Sequence, residues 1–435
     1  MRNEFCEDPD ALIERLFGAG VVRVLDFGAF GLTLGSWGDD NLTGGPGSDL
    51  YFDPMGNDRF DGTGGNDVLL GGLGRDTLLG GAGNDVIHGG TEDDNLLGGP
   101  GNDTIAGGTG NDIIHGGGGS NLLFGGGGDD LLDVRWSTYA AQAGAGESAE
   151  DWRAAKELAT DEMHGGDGND TLEGSFGRDL LHGDAGDDHL RGQDGDDLID
   201  GGEGNDVLSG GNGADTLLGG TGDDTIDAGR GDDLIDGGSG RNRIEAGSGD
   251  DTITGGDDRD IIRGSWGNDS IEAGSGDDWI DGGHGDDVIH LGDGDDFVGA
   301  IDQLGRGDDV IFGEGGNDWI HGGRQDDYLD GGDGDDILNG GAGDDVLVGG
   351  ISSDVFEIRG QHGVDMILDF SEDDILRIGR EINGLGDLSA DALAARTEAM
   401  GDGAWLDLGG SNGILFFGVD AGELGNLLQD RIEYF

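Results

Sequence analysis

From Gly35 onward the chain is written in nine-residue units, and no other property limits its folding so tightly. Residues 201 to 227 show the unit cleanly as GGEGNDVLS, GGNGADTLL and GGTGDDTID. Glycine holds the first, second and fourth places, Asp the sixth (Asp206, Asp215, Asp224) and an aliphatic residue the eighth (Leu208, Leu217, Ile226). The frame runs from Gly35 to Asp133 as 11 units, from Gly165 to Gly299 as 15, and from Leu304 to Glu357 as 6. Across these 32 units the eighth place is always apolar, and the sixth is Asp in 30 and Asn at Asn121 and Asn242. Chance does not produce two such columns, so fold and function are read from the unit.

The first six residues of a unit, with three glycines, suit a sharply curved turn with positive φ and close backbone approach. The last three suit a short strand, because β-structure alternates sides with period 2: the eighth residue faces one way, the seventh and ninth the other. Turn, strand, turn, strand closes a flattened coil of two units, or 18 residues, so units of equal parity stack on one wall. Stacked parallel strands lie about 4.8 Å apart, which brings each turn's Asp and backbone carbonyls against those of the next coil. Carboxylates so spaced repel without a cation between them. An all-oxygen site of carboxylates and carbonyls in a flexible loop suits Ca²⁺ better than Mg²⁺, which demands stricter geometry.

Composition agrees. Asp and Glu number 95 against 22 Lys and Arg, a net charge of −73, with Lys156 the only lysine. Such a chain stays expanded unless cations neutralise it, and it lacks the basic patches that nucleic acid requires. Apolar residues make up 33% and glycine 102 positions, which predicts a thin, long core in place of one globular core. The single cysteine, Cys6, excludes an intrachain disulfide framework. No segment reaches membrane-spanning length, and the N-terminus has no charged leader followed by an apolar run, which taken alone reads as cytoplasmic.

GGxGxDxUx, the unit repeated here, resembles the calcium-binding nonapeptide of the RTX (repeats-in-toxin, haemolysin-type) family. The resemblance implies an all-β fold, a right-handed parallel β-roll solenoid with Ca²⁺ ions between successive turns on each edge. The ions would be held by glycine-loop carbonyls and the sixth-place carboxylates: Asp40, Asp49, Asp58, Asp67, Asp76, Asp85, Asp94, Asp103, Asp112 and Asp130 in the first array; Asp170, Asp179, Asp188, Asp197, Asp206, Asp215, Asp224, Asp233, Asp251, Asp260, Asp269, Asp278, Asp287 and Asp296 in the second; Asp309, Asp318, Asp327, Asp336, Asp345 and Asp354 in the third. Asp206 and Asp224 would share one edge, Asp215 and Asp233 the other. Reduced occupancy is expected where Asn121 and Asn242 lack the carboxylate, where Asp53-Pro54 replaces Gly-Gly, and where Glu92, Asp258, Gln325 and Ser352 replace the fourth glycine.

The remaining segments read as accessories. Residues 1–34 form an N-terminal cap, with a helix at Pro9 to Phe17 and a β-rich piece from Val21 to Leu34. Residues 134–164 form a small helical insert, the helix over 149–160 placing Trp152, Ala155 and Ala159 on one side. Residues 300–303 are a short insert. Residues 358–435 form a β-rich C-terminal capping domain, with strands at Val364–Phe370, Asp374–Ile378, Ala404–Leu408 and Ile414–Val419 and a helix near Ser389–Met400. The run DVFEIRGQHGVDMILDFSEDDILRI resembles the segment that closes RTX rolls. Outward positions of even-numbered units in the first array form an apolar stripe: Leu50, Phe52, Val68, Leu70, Val86, Leu122 and Phe124. The insert or the N-terminal helix is expected to cover it, with a partner or self-association as the alternative. The second array, with ninth places mainly polar, is expected to lack such a stripe.

For function, HExxH, GxSxG and phosphate-loop motifs are absent, and the histidines (His88, His115, His290, His321 among them) fall at outward positions, with His182 and His189 on opposite walls. A separate catalytic domain of the kind RTX enzymes place before the roll is not expected in 34 residues, nor the membrane-active region and acylated lysines of a pore-forming toxin. The reading is a secreted, extracellular, calcium-binding protein that is not an enzyme. The resemblance implies a one-step (type I) exporter recognising the C-terminus, with Arg431–Phe435 as its apolar end. A structural, adhesive or matrix role with a cell-surface or polysaccharide ligand leads. A calcium-dependent polysaccharide-acting enzyme or a toxin-associated protein is the alternative.

Overall fold

The structure, a computed structural model, describes residues 23–26, 30–134, 159–299, 306–360, 362–380, 382 and 389–435. The helices expected at Pro9–Phe17 and over 149–160, and the short insert 300–303, lie outside these residues, apart from Ala159 and Thr160. The chain divides into two compact units, Met1–Gly220 and Thr221–Phe435.

In the first unit, equal-parity strands stack in parallel at an interval of 18 residues, as the unit's geometry predicts, or of 40 across the first interruption. One wall is built by Ser48–Phe52, Val68–Leu73, Val86–Thr91, Thr104–Thr109, Leu122–Gly127, Glu162–Asp167 and Leu180–Ala185. The other is built by Asn41–Thr43, Arg59–Asp61, Thr77–Leu79, Asn95–Pro100, Ile113–Gly118, Leu131–Asp133, Thr171–Glu173, His189–Asp194 and Val207–Asn212. Register is set by the eighth place: Leu69 lies against Ile87 and Ile105 against Leu123. These side chains face inward and are fully buried, which removes from water the apolar surface that holds the walls together. Many strands have six residues, longer than the three expected, because the ladder continues through the paired glycines, as in Gly72 against Gly90. At the start, Arg23–Asp26 pairs antiparallel with Phe30–Leu34, which joins the first wall beside Ser48–Phe52.

The second unit repeats the plan. One wall runs Leu234–Asp236, Thr252–Gly256, Ser270–Ser275, Val288–Asp293, Val310–Gly315, Tyr328–Asp333, Val346–Ile351 and Val364–Ile367. The other runs Thr225–Arg230, Arg243–Ser248, Ile261–Trp266, Trp279–His284, Phe297–Val298, Trp319–Arg324, Ile337–Ala342, Val355–Ile358 and Ile375–Ile378. Each wall is then closed by C-terminal strands: Asn412–Phe417 pairs with Val364–Ile367, and Ile432–Tyr434 with Ile375–Ile378. Gly403–Gly409 and Thr397–Met400 continue the first of these as antiparallel strands.

Several expectations are corrected. The helix near Ser389–Met400 is only Ala390–Ala394, capped by Ser389, because Thr397–Met400 is claimed by its antiparallel partner. A second helix, Ala421–Asp430, capped by Asp420, was hidden by its two glycines. The frame resumes before Gly165, since Glu162–His164 already sit in a wall strand. Outward apolar rows also occur in the seventh place, a position the stripe expectation did not weigh: Trp279 and Phe297 of the second array are continued by Trp319 and Ile337 of the third, and Val288 by Val310, Tyr328 and Val346. On the first unit's stripe, Phe52, Val86 and Phe124 are exposed. His115, expected outside, is buried.

The turns need glycine where backbones stack. Gly83 has φ of 140°, and a Cβ there would strike the Gly65 carbonyl of the coil below, whereas a Cβ on Gly127 would meet nothing within 4 Å. In calcium-loaded protein, Gly83→Ala is expected to lower stability to denaturant by about 1–3 kcal/mol. Gly127→Ala is expected to change it little. Paired unfolding curves measure the difference.

Candidate metal centre

Each sixth-place Asp sits at the end of a glycine turn and is buried, from Asp49 and Asp58 through Asp197 to Asp354; Asp309 is half-buried and Asp40 is also partly open. One oxygen is tied: Oδ1 accepts the backbone N–H of the Asp one coil below. In the first unit, one row runs Asp49, Asp67, Asp85, Asp103, Asn121, Asp161, Asp179, Asp197 and Asp215, with N···O distances of 2.7–3.1 Å. The other runs Asp40, Asp58, Asp76, Asp94, Asp112, Asp130, Asp170, Asp188 and Asp206 at 2.6–2.8 Å.

The second unit has the same pair of rows. One joins Asp224, Asn242, Asp260, Asp278, Asp296, Asp318, Asp336, Asp354 and Asp374. The other joins Asp233, Asp251, Asp269, Asp287, Asp309, Asp327, Asp345 and Asp365. The expected ligand residues are thus brought together in rows, and no turn expected to be weakened drops out. Glu92, Gln325 and Ser352 hold φ of 74°, 83° and 104°, so their turns keep the path that glycine would follow.

The second carboxylate oxygen is what gives the rows their chemistry. Oδ2 of Asp67, Asp76, Asp85, Asp94, Asp188, Asp251, Asp269, Asp278, Asp318 and Asp336, among others, is buried without a hydrogen-bond partner among the described residues. An unpaired buried carboxylate oxygen is costly, and native interiors satisfy it. The same oxygens face carbonyls: a Cβ on Gly80 would collide with both Asp85 Oδ2 and the Gly98 carbonyl, and one on Gly264 with Asp269 Oδ2 and the Gly282 carbonyl. Carboxylate and carbonyl oxygens therefore converge over the first-place glycine with no donor between them, a set that fits Ca²⁺.

Asn242 shows what the position asks for. Its Nδ2 donates to the Gly240 and Gly255 carbonyls at 3.1 and 3.5 Å, so an amide meets the same kind of carbonyl with a proton where Asp needs a cation. Asn121 Nδ2 likewise donates to the Gly119 carbonyl at 3.5 Å.

Sequence reasoning missed other members of the rows. Asp161, Asp365 and Asp374 lie outside the counted frame, although each opens an Asp-x-apolar sequence, with Met163, Ile367 and Leu376 buried two residues on. Asp53 replaces a glycine, and its carboxylate oxygens converge with those of Asp40 and Asp58 to within 4.8 Å. Fifth-place side chains run a reverse ladder, with Oδ1 of Asn66 and Asn84 accepting from the fifth-place N–H one coil above. Its signal was the frequent Asn or Asp at that place. His182 and His189 do lie on different walls; His182 stacks on His164 at 4.7 Å, and its pairing with Asp200 holds its pKa up.

The profile of the RTX calcium-binding nonapeptide repeat (4 copies) matches residues 34–51, overlapping segments covering 61–132 and 164–298, and 303–356, more than half of the chain. The chain belongs to the RTX calcium-binding repeat family. Its roll is therefore a calcium-binding one. No curated protein matches the RTX chain. Among solved structures, the extracellular lipase LipA from Serratia marcescens is similar at 19% identity with a TM-score of 0.22, over 63% of this chain and 40% of the lipase chain. The chain thus spans less than half the length of that neighbour.

Without metal, burial and neighbouring carboxylates push several row members upward in pKa: Asp58 to about 6 and Asp94, Asp318 and Asp327 to about 8. A folded-state pKa above the unfolded one means that the metal-free fold takes up protons, so this contribution is complete below about pH 4 and is lost as pH rises through about 6 to 8. In chelator, the β-sheet circular dichroism signal is expected to be larger near pH 4 than near pH 8. With calcium the dependence reverses, because ligands must be deprotonated to bind. Titrating both samples over pH checks the crossing.

Proposed function

We propose that this protein leaves the cell unfolded and folds outside it when Ca²⁺ binds the sixth-place carboxylates, to serve a non-enzymatic structural, adhesive or matrix-contact role. The observation that carries this reading is the set of buried Oδ2 atoms, such as those of Asp85 and Asp269, that lie beside a glycine carbonyl with no donor among the described residues. Asp58, Asp67, Asp85, Asp188, Asp269 and their row neighbours are the ligands in this reading, with first-place glycine carbonyls completing each ion's shell. Where Ca²⁺ is scarce, repulsion within a chain of net charge −73 opposes the fold. Where it is plentiful, the ion binds the folded state alone and draws the chain into it.

Export by a one-step exporter agrees with the C-terminal architecture. The terminal strand Ile432–Tyr434 is paired with Ile375–Ile378 in the folded chain, so an exporter reading this end would meet it accessible before folding. Calcium then hides the signal as it builds the roll, which gives export a direction.

Purified protein in chelator at neutral pH is expected to show little β-structure and to gain it on adding millimolar-range Ca²⁺. Asp269→Ala is expected to raise the calcium midpoint by at least about twofold, since removing a linked site removes its share of binding energy. A folded spectrum unchanged by chelator would sink the reading.

A further inference from the structure

Among the described residues of the second unit, one short wall strand borders a cavity built like a binding site. The strand Phe297–Val298 has two residues, while its neighbours Trp279–His284 and Trp319–Arg324 have six. The Gly299 N–H still donates to the Ile280 carbonyl at 3.1 Å, and the next pairing among the described residues is the bridge between His284 and Arg306. Described residues on both sides of this point line a cavity of about 500 Å³, within the range of small-ligand sites.

Two rows of outward side chains frame the opening, and they differ in chemistry. The seventh-place row is aromatic: Trp279 and Phe297 are stacked at 6.4 Å and 9°, and Phe297 and Trp319 meet at 4.3 Å. The ninth-place row is polar, with Asp281, His321 and Asn339 lining the cavity. Between Asp281 and His321 that row holds Gly299, where a Cβ would crowd the Phe297 ring at 3.1 Å. The missing side chain leaves a notch beside the aromatic faces. Burial and Arg359 hold His321 below its ordinary pKa, so it is neutral near pH 7 and can both donate and accept.

The rim is cationic in a strongly acidic chain. Arg324 lines the cavity, and Arg306 stands beside it, its neighbour Gly307 donating to the Arg324 carbonyl. Neither guanidinium has a carboxylate within ion-pair distance among the described residues, whereas Arg359 and Arg377 are held by Glu357. Both arginines are exposed and sit on adjacent coils, an arrangement that suits an anion. Flat rings offer a platform for the C–H face of a pyranose, neutral and carboxylate groups suit its hydroxyls, and paired arginines suit a carboxylate.

We infer that this notch binds an acidic polysaccharide, with a uronate ring on Phe297 and Trp319, its hydroxyls on Asp281, His321 and Asn339, and its carboxylate on Arg324. This deepens the matrix-contact reading above and rests on it. The test titrates full-length, calcium-saturated protein with a hexamer of a uronic acid, short enough not to gel, and with a neutral glucose hexamer, by calorimetry. Circular dichroism of the same samples reports calcium-driven folding separately. The uronate hexamer is expected to bind and the neutral one to bind at least tenfold more weakly. Trp319→Ala and Arg324→Ala are each expected to lose about tenfold or more in uronate affinity, while Trp37→Ala, an exposed tryptophan of the other unit, loses none. Should Trp319→Ala misfold, Arg324→Ala decides alone, since Arg324 is exposed. Folded protein that ignores the uronate hexamer, that binds both hexamers alike, or whose Arg324→Ala variant binds as the wild type would overturn the site while leaving calcium-driven folding intact.

Discussion

Most buried aspartates of the rows spend one oxygen on a backbone N–H and leave the other without a donor among the described residues, and the rest of the structure depends on that division. The Oδ1 bond fixes the height of one coil on the next, since it joins residues 18 apart at hydrogen-bond length. The Oδ2 atom makes the same geometry unfavourable without a cation, because burial and like charge both oppose ionisation. Register and the electrostatic cost of an unneutralised row therefore come from a single side chain. A row with its metal removed keeps only its apolar core, a thin line of one inward residue per strand.

The sequence makes the core nearly transparent. Every eighth-place residue that falls in the described roll after Leu42 is buried, because a period-2 strand with one inward position leaves no ambiguity of face. The metal rows were equally legible within the counted frame. Outside it they were not, and Asp161, Asp365 and Asp374 show why: glycine is needed for the turn's path, but the ladder needs only Asp and an apolar residue two places on. A frame indexed on glycine stops too early. The helix Ala421–Asp430 was lost for the opposite reason, as its glycines read as a break although Asp420 caps it and Leu424 and Leu428 bury one face. The outward aromatic row was missed because the seventh and ninth places, though on the same face, carry different residue types.

The exceptions in the rows define the rule. Asn242 preserves the Oδ1 bond and turns its amide nitrogen to the carbonyls, so the coil there is stitched by protons. Residues forced to positive φ, such as Glu92 and Gln325, preserve the turn at a backbone cost that stacked neighbours offset. Ladder continuity is kept where local preference is not.

Continuity also explains where novelty can enter. The first interruption lengthens the step between row members from 18 to 40 residues, as between Asp130 and Asp170, and the second from 18 to 22, as between Asp287 and Asp309. In both places the hydrogen bond from one Asp to the next survives at 2.6 and 3.0 Å. At each interruption the extra residues follow the ninth place of a unit, and the aspartate row is carried across them unbroken. The short strand Phe297–Val298 lies just before the second interruption, and the aromatic row Trp279, Phe297 and Trp319 runs beside the cavity there. A roll held by its edges can vary its walls, and this chain does so where its outer face is aromatic and its rim cationic.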